Sequence, residues 1–271
     1  MTITISSGKS PRSYVDFPWL RWHEGFKLES RRHVDIDYWD QFLVLAEDGT
    51  SAQVYYPLDE YPELVFEFSK LTRVEDVLKF ANKFGFIGFE YRHSGDASGE
   101  SVSDWLLESA KIKETLEIWF ATENKDRSFL RKVVRWDEQV VWAVNHQKIK
   151  VPIAWRGPGS VVFEKWKQGD LIAPARFYIQ EQVNAGLSGT FSIRLSTTSS
   201  GEMAQHLSPV DLLSALWLQI SQILTGQKKI RPCDVCGRQM DISENRSHKR
   251  VHDACSLRRR MAKYRKSLGS G

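Results

Sequence analysis

Cysteine is nearly absent from this sequence. Its only three cysteines are Cys233, Cys236 and Cys255, and the 232 residues before them contain none. An odd number of cysteines at short spacing does not make a disulfide framework, which argues against a disulfide-stapled secreted scaffold. A reducing compartment would keep them as thiols that a metal can bind. The sequence therefore predicts a cytoplasmic protein with one cluster of thiols in its last fifth.

Long apolar runs are also lacking. No stretch approaches the roughly 18 residues that a membrane helix needs, and the opening residues MTITISSGKSPRS have no apolar segment typical of a signal peptide. We find no internal repeat and no glycine-rich phosphate-binding motif after a strand. Neither His93 nor His146 is paired with a Ser, a Cys or a carboxylate in a recognisable catalytic pattern. These absences predict a protein without a membrane segment, and they favour a binding protein over an enzyme.

Charge is divided unevenly along the chain. Residues 227–266 hold thirteen Lys and Arg against four Asp and Glu, a net +9, while the remainder has 25 basic and 30 acidic residues, a net −5. All ten tryptophans lie at or before Trp217. We therefore predict a flexible lead (1–16), a body with a large core (17–226) and a small basic C-terminal segment (227–271).

Strand and helix patterns alternate in the body, which predicts an α+β fold: a mixed, helix-rich body followed by a small C-terminal module. Residues 33–57 alternate apolar and polar side chains around Glu-Asp-Gly-Thr, which predicts two strands paired across that turn. Shorter apolar runs predict further strands at 133–144, 148–155 and 190–198.

Four segments carry helix signals. In 72–85, Thr72 and Glu75 have the spacing of a capping box and Gly85 suits a helix end. Residues 101–123 carry an apolar stripe at helical spacing. A third helix is predicted to open near Asp170 and close at Gly186. The fourth helix is indicated by Ser208 as N-cap, Pro209 at the first helical position, Asp211 completing the cap and Gly226 at the end.

The three cysteines stand in a metal-binding pattern. Cys233-x-x-Cys236-Gly is typical of a knuckle that points two thiolates at one metal, and fifteen residues separate Cys236 from a following His252-x-x-Cys255. Three thiolates and one imidazole make a closed tetrahedral zinc site, which leaves no position for a substrate. His248 is an alternative fourth ligand, because His248 and His252 form His-x-x-x-His. We predict zinc held by Cys233, Cys236, His252 and Cys255, so that residues 227–271 form a zinc finger.

A basic helix is predicted after Cys255. Leu257, Met261, Tyr264 and Leu268 follow helical spacing and would form one apolar face that packs on the finger. The other face would present cations to phosphate. The predicted nucleic-acid contacts are Arg258, Arg259, Lys263, Arg265 and Lys266.

Three features resemble the C-terminal zinc finger of the bacterial CGNR family. They are the knuckle, the basic stretch that begins with Arg246-Ser247 and the closing Arg-rich helix. The body resembles the ABATE regulatory domain that accompanies such fingers. Two positions depart from the family: Cys255-Ser256-Leu257-Arg258 stands where Cys-Gly-Asn-Arg is usual, and His252 replaces a usual cysteine. The resemblance implies a transcriptional regulator.

Three functions remain in competition. The first is a zinc-finger regulator that binds nucleic acid, with DNA expected, and whose body senses a small ligand or a protein partner. The second is a zinc-dependent adaptor that docks proteins through the finger. The third is an enzyme with its active site in the body. The helix over 208–226 joins the body to the finger, so a shift in its packing is expected to move the finger.

Overall fold

The structure, a computed structural model, describes residues 2–5, 15, 17–32, 39–46, 51–88, 99–156, 165–197, 201–243 and 250–268. Helices and sheets both contribute extensively, which confirms the predicted α+β class. Within these ranges, no helix combines the length and the apolar character needed to cross a bilayer.

Two three-stranded sheets lie in the N-terminal part of the body. The strands of the first sheet are, in order across it, β1 (Thr2–Ile5), β5 (Ser51–Tyr55) and β2 (Trp19–Trp22). Those of the second sheet are β3 (Phe26–Arg32), β4 (Trp39–Leu45) and β6 (Glu100–Ser101). The sequence predicted that β4 and β5 pair across Glu-Asp-Gly-Thr, whose residues 47–50 lie outside the described part. That pairing is wrong, because β4 and β5 belong to different sheets. β4 pairs with β3 and β6, and β5 pairs with β1 and β2, so the hairpin that the local turn sequence favours does not form.

Two described parts of the predicted lead, residues 1–16, pair with the rest of the chain. β1 runs parallel to β5, with Thr2 opposite Ser51 and Ile5 opposite Val54. Val15 forms a single parallel bridge with Leu207. A parallel strand finds its partner only through a long connection, so no local turn signal announces it.

Two further sheets follow in the second half of the body. Strands β7 (Val134–Trp136), β8 (Val140–Val144) and β9 (Lys150–Trp155) form an antiparallel meander, and they confirm the strands predicted there. β10 (Phe191–Thr197) confirms another, and it pairs with β11 (Met203–Pro209), a strand that the sequence did not predict.

Three long helices form the centre of the body. α4 (Val102–Glu123), α6 (Ile172–Leu187) and α7 (Leu212–Leu224) pack against one another. α4 and α7 are also joined by a buried hydrogen bond, because Trp217 Nε1 donates to Glu108 Oε1 at 2.9 Å. The shorter helices are α1 (Pro57–Glu60), α2 (Leu64–Phe68), α3 (Val74–Phe84) and α5 (Arg127–Val133).

Side chains from all three long helices are fully buried in one cluster with the N-terminal elements. Trp105 and Ile112 come from α4, Ile179 from α6, and Leu216 and Ile220 from α7. The apolar stripe predicted for 101–123 therefore forms the core together with α6 and α7.

Several predicted helix ends are corrected. α3 begins after Arg73 with no side-chain cap, so the Thr72–Glu75 capping box does not form, although Gly85 ends the helix at φ +89°. The N-cap of α7 is Asp211, whose Oδ1 accepts from Ser214 N at 2.7 Å, while Ser208 and Pro209 end β11 instead. Pairing with β10 holds these two residues in the extended conformation.

Gly186 does not stop α6, as predicted, but lies within it. A Cβ atom at this position would come closer than 3.0 Å to the indole ring of Trp217. Glycine is therefore required by the close approach of α6 to α7, and not by a turn.

The C-terminal segment, which the sequence predicts to be a finger and which is called the finger below, has its own small cluster of buried residues. Cys233, Met240 and Cys255 are buried, and Ile242 and Val251 pack against them. Val235, an apolar residue between the first two cysteines, is 51% exposed. The elements of the finger are β12 (Ile230–Pro232), β13 (Gln239–Asp241) and α8 (Asp253–Leu268).

Candidate metal centre

The structure brings four donor side chains of the finger together. The Sγ atoms of Cys233, Cys236 and Cys255 and a ring nitrogen of His252 all lie within 4.8 Å of one another. Cys233 and Cys255 are each only 3% exposed, whereas Cys236 is exposed. Sulfur and imidazole nitrogen at this spacing can hold one metal ion. The set is the one that the sequence predicted.

A tight turn places the first two cysteines. Cys233 directly follows β12, and its N–H donates to Arg238 O at 2.9 Å while its own carbonyl accepts from Gly237 N at 2.9 Å. Gly237 has φ +68°, a conformation that side chains rarely adopt. These bonds close the predicted knuckle between β12 and β13.

The other two donors lie at the start of α8. His252 immediately precedes the helix, and Cys255 is in its first turn. Ser256 N donates to His252 O at 2.9 Å, which fixes the spacing of the two donors on the helix. The knuckle is tied to this segment because Asp234 N donates to Arg250 O at 2.9 Å.

The three thiols differ in acidity because their surroundings differ. Burial raises the pKa of Cys233, but the backbone N–H groups of Cys236, Val235 and His252 outweigh it and lower that pKa to about 6. The side chain of Arg238 lowers the pKa of Cys236. Burial, reinforced by the neighbouring thiols, raises the pKa of Cys255 to about 11.

Two lowered thiol pKa values beside a raised one are expected where several thiolates would lie close together. Two sulfurs are stabilised as thiolates, and the third is disfavoured as a thiolate beside them. A divalent cation would relieve that repulsion, since metal binding releases the thiol protons. The chemistry of the donor set therefore fits a metal ion.

The His252 ring has two different neighbourhoods. Its Nδ1 lies 3.4 Å from Cys236 Sγ, and its Nε2 lies 3.2 Å from Glu63 Oε2 and 3.3 Å from the carbonyl oxygen of Gln239. Burial lowers the pKa of His252, but hydrogen bonding to Cys233 and the charge of Glu63 outweigh it and raise that pKa. Nδ1 therefore faces the donor cluster, while Nε2 faces oxygen acceptors.

Two contributors escaped the sequence reasoning. Glu63 belongs to the body and is 189 residues from His252, so no spacing links them. Arg238 follows the knuckle glycine directly. A cation beside Cys-x-x-Cys could have been recognised from the sequence as a group that stabilises a thiolate.

Some predicted site residues fall wholly or partly outside the described part. His248, the alternative ligand, lies in 244–249. Of the predicted nucleic-acid contacts, all five have backbones in α8, but only Arg258 has a described side chain, and it is exposed. The predicted packing of the apolar face of α8 on the finger is not found at Leu257 and Met261, which are 55% and 49% exposed.

The body offers an open groove between α4, α6 and α7, of about 260 Å³. Its apolar lining includes Trp119, Ile179, Val183, Leu187 and Leu224. The groove reaches Thr225, at the C-terminal end of α7, eight residues before Cys233.

His146 is held by a carboxylate, although no sequence pattern paired it with one. Both its Nδ1 and its backbone N–H contact Glu114 Oε2 at 2.8 Å, and Tyr178 donates to Glu114 Oε1 at 3.3 Å. Glu114 thereby anchors the turn between β8 and β9 on α4.

Comparisons with known proteins add no relative: no family model, no curated protein and no solved structure matches this chain.

Proposed function

We propose that this protein is a cytoplasmic zinc-finger regulator that binds nucleic acid, with DNA as the expected target, through the finger and α8. The convergence of Cys233, Cys236, His252 and Cys255 within 4.8 Å carries the proposal. The similarity of the finger sequence to CGNR-type fingers supports it. The body would sense a ligand or partner, and its groove against α7 offers a place for one.

Zinc is the metal that these donors favour. Thiolate and imidazole ligands in a four-coordinate arrangement are typical of structural zinc, and four protein ligands leave no position for a substrate. The metal would therefore hold the finger together. This matters because the finger buries few apolar side chains, mainly Met240 with Ile242 and Val251 around it.

Elemental analysis tests the metal. We expect one zinc per chain in protein purified without chelator, and a drop in zinc content in His252→Ala. The matched control is His248→Ala, which should keep its zinc. Metal-free wild type would refute the zinc finger, and the reverse behaviour of the two variants would make His248 the ligand.

The charge of the finger supports nucleic-acid binding. Residues 227–266 carry a net +9 beside a body of opposite net charge. The exposed side chains of Arg258 and Arg260 extend this charge along α8. Clustered Lys and Arg on one helix neutralise phosphates and release condensed counterions, which makes binding depend on salt.

A salt titration of binding to a random-sequence duplex tests this role. Combining Arg259→Gln, Lys263→Gln and Lys266→Gln should flatten the plot of log binding constant against log salt by roughly 2 to 3 units, since each lost contact contributes about 0.9. The matched control changes three exposed cations of the body, Arg131, Lys132 and Arg135, to Gln. It should leave the slope unchanged.

The adaptor function is favoured by one observation, the exposure of Leu257 and Met261 on α8. Apolar side chains on an exposed helix face suit a protein partner. An unchanged salt slope in a zinc-loaded triple variant would show that the cations do not hold nucleic acid, and the adaptor would then be the better proposal.

A further inference from the structure

A carboxylate of the body contacts the finger at two places. Glu63 Oε2 lies 3.2 Å from His252 Nε2, and Glu63 Oε1 accepts from Asp241 N at 3.3 Å. His252 precedes α8, whereas Asp241 ends β13. One side chain from outside the finger therefore joins its hairpin to its helix at the metal centre.

The contact with His252 decides which ring nitrogen carries the proton. Nε2 faces two oxygen acceptors, Glu63 Oε2 and the Gln239 carbonyl, so Nε2 is the nitrogen that holds hydrogen. The lone pair then lies on Nδ1, which faces Cys236 Sγ. A carboxylate behind a metal-bound imidazole fixes its tautomer and orientation and raises its strength as a ligand.

Glu63 is itself held in place by the core of the body. It lies between Tyr61 and Val65, and the fully buried Gln219 of α7 bonds to both of these neighbours. Val65 N donates to Gln219 Oε1 at 3.0 Å, and Gln219 Nε2 donates to Tyr61 O at 3.4 Å. The carboxylate therefore sits on a segment whose position is set by α7.

We infer that Glu63 is a positioning residue of the metal centre, contributed by the body, so that metal affinity depends on where α7 holds the start of α2. This inference rests on the metal binding proposed above. Because coupling between two equilibria is reciprocal, metal binding also stabilises this placement of α2.

The test measures zinc affinity of the full chain by competition with a chromophoric chelator. Glu63→Gln keeps the shape of the side chain and can still accept from Asp241 N, but it removes the charge behind His252. We expect affinity to fall by about 10- to 100-fold. The matched control is Glu67→Gln on α2, whose carboxylate pairs with Lys83 at 3.0 Å, and it should leave affinity unchanged.

A second background separates positioning from a general structural role. His252→Cys keeps four metal donors but has no imidazole for Glu63 to hold. In this background Glu63→Gln should no longer change zinc affinity. A penalty that persists there would refute action through the ring. If the His252→Cys variant binds no zinc, the comparison of Glu63→Gln with Glu67→Gln still decides whether Glu63 raises zinc affinity.

The outcomes also separate this inference from the proposed function. Wild type that binds no zinc contradicts the metal centre itself. Wild type that binds zinc, with Glu63→Gln equal to it in affinity, overturns the role of Glu63 alone. Thermal melting of wild type and Glu63→Gln in excess chelator measures any effect of the substitution on the metal-free protein, and this effect is separate from the change in zinc affinity.

Discussion

Replacing Gly186 with alanine sets two effects of opposite sign against each other. Gly186 lies within α6, where alanine is normally the better helix former. Its added Cβ, however, would come closer than 3.0 Å to the ring of Trp217. That ring is only 2% exposed, and its Nε1 is bonded to Glu108 at 2.9 Å, so it has little freedom to move away.

The magnitudes favour destabilisation. The gain in helix propensity is at most about 1 kcal/mol, and less at this position because α6 ends at Leu187. Overpacking a buried site costs about 1–3 kcal/mol, and a ring that cannot shift places the cost near the upper end. We therefore expect the free energy of unfolding to fall by about 2 kcal/mol.

Urea unfolding, followed by circular dichroism, measures this change. The midpoint should fall while the dependence on urea stays constant. Ala185→Gly is the matched control at an exposed neighbouring position, and it should cost no more than about 1 kcal/mol. An unchanged or raised stability of Gly186→Ala would show that α6 and α7 do not approach each other as described.

Two further predictions concern the body. The hydroxyl of Tyr55 donates to Phe84 O at 2.6 Å, and burial raises the pKa of Tyr55. The contribution of the neutral hydroxyl to the free energy of unfolding is therefore complete below about pH 10, and it is lost as pH rises above that value. Between pH 9 and 11, the unfolding free energy of wild type should fall more steeply than that of Tyr55→Phe, by up to about 1.4 kcal/mol per pH unit, and parallel curves would contradict this. Asp211→Ala removes the N-cap of α7 and should lower the unfolding free energy by about 1–2 kcal/mol in urea titrations; no loss would mean that Asp211 is not the cap.

Local patterns predicted the elements better than their partners. The apolar stripe of α4, the capping Asp211 of α7 and the spacing of the four donors are short-range features, and the structure contains all of them. Short spacings constrain the donors because few residues separate them within each pair.

What escaped prediction depends on residues far apart in the chain. β4 and β5 flank a good turn sequence but pair with other strands. The role of Gly186 is set by Trp217, and that of Glu63 by His252. No periodicity in one sequence encodes such meetings, since they arise when separately formed elements pack.

The bond between Val65 and Gln219 also orders events during folding. α2 has only five residues, and isolated helices shorter than about 12 residues are marginal in water. Its Val65 N–H is satisfied by a side chain 154 residues away, so the chain must close a long loop before this helix is stabilised. On a ribosome, α7 is among the last parts of the body to emerge. The segment that carries Glu63 therefore cannot take its final conformation until the chain has been synthesised through Gln219.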